Sequence, residues 1–126
     1  MLAQTALRAV IPATDLERAK RFYRDTLGLK LVEELEGALY FQSGDAMFTV
    51  YPTPSGGKAG HTVAGWQVAD LDAEMTDLRG RGVTFEEYDL PGLKTVDGVA
   101  DTGGMRGAWF KDSEGNILGV VQGKGS

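Results

Sequence analysis

The sequence predicts an α+β domain built from two tandem βαβββ modules, and three observations carry that prediction. The first is an internal repeat. "VIPATDLERAKRFYRDTLGLKL" and "GWQVADLDAEMTDLRGRGVTF" run through the same order of apolar strand, Asp-Leu pair and helical pattern, with Asp15 and Asp70 offset by 55 residues. The second is the pair of aspartates, each standing where a side chain caps the free N–H groups of a helix start. The third is the set of short β-type runs that follows each helix. A chain of 126 residues, 42% hydrophobic and 25% charged, supplies one ordinary core, so both modules fall in a single domain over residues 1–126.

The elements follow in order. Module one covers about residues 5–54. Its first strand places Leu7, Ala9 and Ile11 under the helix and turns Arg8 and Val10 the other way, by the two-residue period of a strand. Its helix carries Leu16, Ala19, Phe22, Tyr23 and Leu27 on one face, and Gly28 provides the stop. "LKLVEEL", "ALYFQS" and "AMFTVYP" complete the module, separated by "EG" and "SGD" turns. A glycine-rich linker, about 55–60, lacks the strand and helix context of a phosphate-binding loop.

Module two, about 61–123, repeats the plan. Ala64, Trp66 and Val68 face its helix, which uses Leu71, Met75 and Leu78 and ends near Gly80 and Gly82. The runs "VTFEEY", "GAWFKD" and "NILGVVQ" supply the remaining strands. Between the first two lies "PGLKTVDGVADTGGMR", residues 91–106, far longer than the usual connection of about 4 to 6 residues. Such a loop predicts a binding segment or lid, the alternative being a merely tolerated insertion.

Composition narrows the function classes. The net charge is −5 with acids and bases interspersed, which gives no footprint for nucleic acid or an anionic membrane. No apolar run reaches membrane-spanning length, and no secretory signal pattern opens the chain. The absence of cysteine excludes disulfides, thiolate metal sites and a cysteine nucleophile, and fits a reducing compartment. The expectation is a cytoplasmic protein whose partner is a small molecule.

"IPATDLERAKRFYRDTLGLKL" is similar to the first-module signature of the vicinal oxygen chelate superfamily, the glyoxalase, bleomycin-resistance and extradiol dioxygenase group. "WFKDSEGNILGVVQ" resembles its closing hairpin, with Ser113 in place of the usual proline. The resemblance implies a cupped mixed sheet with the helices outside, and a homodimer. In the family's metalloenzymes it also implies four inward residues that hold a divalent metal, two per module.

Those four positions carry the wrong donors here. Counting from the aspartates, the first-strand positions are Arg8 and Val63; the first module ends at Thr49, or Tyr51 on the same face, and the second ends at Gly119. A guanidinium offers no lone pair, and valine and glycine offer no donor atom. The only histidine, His61, reads as a solvated strand-end residue, and Glu33, Glu34, Glu36, Glu86 and Glu87 as solvated charge. The sequence therefore predicts no metal and no cofactor.

Gly119 has two readings. It leaves floor space where a ligating carboxylate would project, or it marks a bulge or close strand packing. Arg8 has three: a partner for an anionic or carbonyl-bearing ligand, a salt bridge with Asp97 or Asp101, or a surface position if the strand register is shifted. The candidate ligand-binding set is Arg8, Val10, Thr49, Tyr51, Val63, Asp97, Met105, Trp109 and Gly119, with no catalytic residue assigned. The leading reading is a metal-free binder of a small organic, anionic or aromatic molecule. A metal-independent lyase or isomerase using loop aspartates is the alternative, and a metal-dependent glyoxalase-like or dioxygenase-like enzyme is less favoured.

Overall fold

A computed structural model describes residues 1–123. The repeat folds as two similar halves. In the first, β1 (Ala9–Ala13), β2 (Lys30–Leu35), β3 (Ala38–Ser43) and β4 (Ala46–Pro52) form a mixed sheet in the order β1-β4-β3-β2. β1 runs parallel to β4, and the other pairs are antiparallel. In the second, β5 (Thr62–Gln67), β8 (Ala100–Asp101), β9 (Met105–Lys111) and β10 (Ile117–Gly123) form a sheet in the order β5-β10-β9-β8, again with its first strand parallel to its last.

Each sheet has a helix on one face. Helix α1 (Leu16–Arg21) and helix α2 (Leu71–Gly80) begin at Asp15 and Asp70, whose carboxylates accept from Arg18 N and Ala73 N, each at 3.1 Å. These are the expected caps. α1 runs on through a π-helical turn, Phe22–Thr26, closed by a hydrogen bond from Leu27 N to Phe22 O, before Gly28 turns the chain at φ +74°. The wider turn brings Tyr23 fully into the core, edge-on to Phe48.

Alternation along the strands separates a core face from an open face. Ile11, Leu39, Phe41, Phe48 and Val50 from the first sheet, with Ala108, Phe110, Leu118 and Val120 from the second, form one buried cluster with α1 and α2. The helices thus lie outside the open faces. The modules meet on the helix-bearing side, where the Trp66 indole, stacked on Phe110, donates to Ser43 Oγ at 2.9 Å, and Arg81 approaches the end of the first helix at Thr26 O. The two open faces are consequently directed outward.

The run "VTFEEY" differs from expectation. Val83 and Phe85 are buried, as its alternation requires, yet it makes only an isolated bridge, Phe85 to Phe110. The edge place along the rest of β9 goes to β8, drawn from the long loop. A small hairpin, β6 (Asp89–Leu90) and β7 (Leu93–Lys94), fills the start of that loop.

Candidate functional site

The closing hairpin is a latch between the modules. Asp112, buried, accepts from Glu114 N, Asn116 N and the Asn116 amide, and takes the Tyr23 hydroxyl at 2.5 Å. Asn116 also donates to Pro12 O in β1 and accepts from Gly57 N in the linker. Glu114 crosses to the start of α1, where Asp15 N, the Thr14 and Ser113 hydroxyls and the Arg18 guanidinium all donate to its carboxylate. Burial alone would raise this carboxyl, but Arg18, Asp15 N, Ser113 and Thr14 overcome it and hold it at about 2. Burial and the neighbouring Asp112 push the Tyr23 hydroxyl up, so it stays a donor. Among the described residues no buried side-chain nitrogen or oxygen lacks a hydrogen-bond partner, so the buried part of this network leaves none over for a ligand.

The open face of the second sheet is the opposite. Thr62, Gly65, Trp66, Gln67, Trp109, Gly119 and Val121 line a broad depression of about 430 Å³. A Cβ placed on Gly119 would stand 3.1 Å from Trp109 Nε1 and 3.4 Å from Thr62 Cγ2, and one on Gly107 would stand 3.1 Å from the far edge of the same ring. The Trp109 indole therefore spreads across two backbone glycines of β9 and β10. Tyr88 meets it edge-on, with ring centroids 6.0 Å apart. What needs room at Gly119 is the indole itself. Among the described residues, no protein acceptor takes the indole N–H.

The open face of the first sheet carries Val10 and Tyr51, 59% and 40% exposed, with Thr49 half-buried and paired to Val10. Arg8 is exposed, two residues before Val10, and makes no side-chain hydrogen bond or ion pair among the described residues. In particular it does not reach Asp97 or Asp101. Met105 alternates with Gly107 and Trp109 on β9 and is 43% exposed.

Two candidates sit elsewhere. Val63 packs against the core cluster, because the β5–β10 register slips between Ile117 and Leu118. That bulge gives Thr62, not Val63, to the depression, a neighbour that strict alternation misses. Asp97 lies between α2 and the loop, with Asp101, Arg79 and Arg106, in a separate cavity of about 620 Å³. Its carbonyl accepts from Arg79. The loop around it is tied down by Glu87, which accepts from Thr95 Oγ1 and Gly98 N; these hydrogen bonds, Thr95 first, hold that carboxyl below its ordinary range.

The donors do not suit the family's metal. Arg8, Thr49, Val63 and Gly119 supply no carboxylate or imidazole, and among the described residues no three His, Asp or Glu side chains gather closely enough to hold an ion. His61 is exposed ahead of β5.

Comparison with known proteins agrees with this frame. Residues 5–119 match the Glyoxalase/Bleomycin resistance protein/Dioxygenase superfamily, and the chain belongs to that family. Similar solved structures include TnmS3, an antibiotic binding protein from Streptomyces sp. CB03234. It is 25% identical, with a TM-score of 0.70 over 96% of this chain and 98% of that one. A glyoxalase/bleomycin resistance protein/dioxygenase from Alicyclobacillus acidocaldarius has a TM-score of 0.75 at 18% identity, covering 96% and 92% of the two chains. A lactoylglutathione lyase from Agrobacterium tumefaciens has a TM-score of 0.70 at 21% identity, covering 96% and 95%. At these lower identities the likeness is one of fold. No curated protein matches the chain.

Proposed function

We propose that this chain is a metal-independent binding protein that holds a planar organic molecule against Trp109. One observation carries the reading: the indole lies over Gly119, the position that matches the family's last metal ligand. A carboxylate there would collide with the ring, so a stacking platform stands in place of a metal ligand. The free indole N–H favours a ligand with a carbonyl or other oxygen acceptor, and the likeness to an antibiotic binding protein points the same way. Because the open faces point outward, the cup is completed in a homodimer, where the first module of one chain supplies Arg8, Val10, Thr49 and Tyr51 opposite the second module of the other. The exposed, unpaired Arg8 then selects an anionic group. The absence of cysteine suits work in the cytoplasm.

Naphthalene-2-sulfonate tests this, with naphthalene-2-methanol as its uncharged analogue. Titration should quench Trp109 emission in Trp66→Phe protein, and Trp109→Ala should weaken binding, followed by calorimetry, about tenfold. Arg8→Gln should weaken the sulfonate and leave the alcohol unchanged. Equal binding to Trp109→Ala would overturn the proposal.

A further inference from the structure

The seam between the modules holds a second cavity, whose lining does not include Trp109. It measures about 250 Å³. Leu27 and Leu29, just past the π-helical turn, form one wall; Trp66, Leu78 and Phe110 form the other. Leu27, Leu29, Trp66 and Leu78 are only partly buried, although all pack against the core cluster. They thus border a cleft that the protein's own side chains leave unfilled. A smaller cavity of about 180 Å³ lies beyond, and Trp66 and Ser43 border both, joined by their 2.9 Å hydrogen bond.

The mouth of the larger cavity is acidic. Glu74 and Asp77 line it from α2. Asp77 is paired with Arg81, whereas the Glu74 carboxylate has no hydrogen bond or ion pair among the described residues. Apolar walls with one uncompensated carboxylate at the rim complement a molecule with an apolar body and a cationic end. Size sets the class: a dry apolar cavity of about 150 Å³ takes benzene. A two-ring amine fits this one, and a peptide segment does not.

We infer that this seam is a binding site for small aromatic amines, with the rings against Trp66 and the ammonium at Glu74. Trp66 and Gln67 border this cavity and the Trp109 depression alike, so Trp109, which lines only the latter of the two, tells them apart. An occupant would touch both modules at once and lie against β5, the strand that also places Gly65 and Gln67 on the open side.

The test uses the full chain labelled with ¹⁵N and titrated with 1-naphthylmethylamine. The two indole N–H resonances are assigned from Trp66→Phe and Trp109→Phe proteins. The expected result is a saturable shift of the Trp66 resonance, with Trp109 unmoved. Glu74→Gln, at an exposed helix position, should keep the melting temperature and weaken the amine about fivefold. An unmoved Trp66 resonance, or equal affinity in Glu74→Gln, overturns the site. Movement of Trp109 alone does so too, by assigning the amine to the open face.

Discussion

Two glycines, Gly57 in the linker beside the hairpin that leads into β10 and Gly119 within β10, serve opposite purposes. At the strand's start, the hairpin from Asp112 to Asn116 presses so closely on the linker that a Cβ on Gly57 would run into the Glu114 carbonyl oxygen. Gly57 also sits at φ +74°. Further along, the nearest atoms to a Cβ on Gly119 belong to side chains, the indole of Trp109 and then the methyl of Thr62. The first contact is backbone on backbone inside a saturated polar network, and the second is a movable ring on an open face. The most recognisable motif of the sequence thus holds the modules together, while the proposed binding falls to the less conspicuous glycine-and-tryptophan face.

The strongest way to break this contrast is Asp112→Ala. It leaves the buried Tyr23 hydroxyl, the Asn116 amide and two backbone N–H groups without their acceptor. The expected loss is about 3 kcal/mol, or about 10 °C in melting temperature, measured by urea and thermal unfolding. Acid should act next, through Glu114. Its folded value of about 2 lies below its ordinary 4.5, so its stabilisation is fully present above pH 4.5 and is lost as the pH falls toward 2. Urea midpoints measured from pH 6 to 2 should fall across that window, and Glu114→Gln should flatten the decline.

Gly57→Ala comes third, at about 2 kcal/mol in urea unfolding. It combines left-handed backbone with a clash that only backbone movement relieves. This contact also marks where reading the sequence stops. The repeat, both caps and the strands of the first module follow from local pattern, because Asp15, Asp70 and the alternation of Leu39, Phe41, Phe48 and Val50 act within their own elements. The role of Glu114 does not, since its five donors come mostly from a segment about 100 residues away. Strict alternation assigns Val63 to the open face, but one bulge hands that place to Thr62. The orientation of the Trp109 ring was equally hidden, being fixed by Tyr88 and by the absence of side chains at Gly107 and Gly119.

The smallest effect on stability, joined to a loss of binding, belongs to Gly119→Ala. The added methyl lies 3.1 Å from Trp109 Nε1 and 3.2 Å from its Cδ1, so the ring must yield by a few tenths of an ångström. The φ of Gly119 is not in the left-handed region, and alanine meets no backbone strain there. A side chain that can tilt into an open depression relieves the contact cheaply, so the loss in urea unfolding should stay below about 1 kcal/mol. A tilted ring, however, no longer offers the same flat face or the same N–H direction to a planar ligand. Affinity for naphthalene-2-sulfonate should fall about fivefold while the fold is kept, the reverse of what Gly57→Ala does. If Gly119→Ala instead unfolds the protein as readily as Gly57→Ala, the glycine serves close strand packing, and the open face loses its claim to be the binding site.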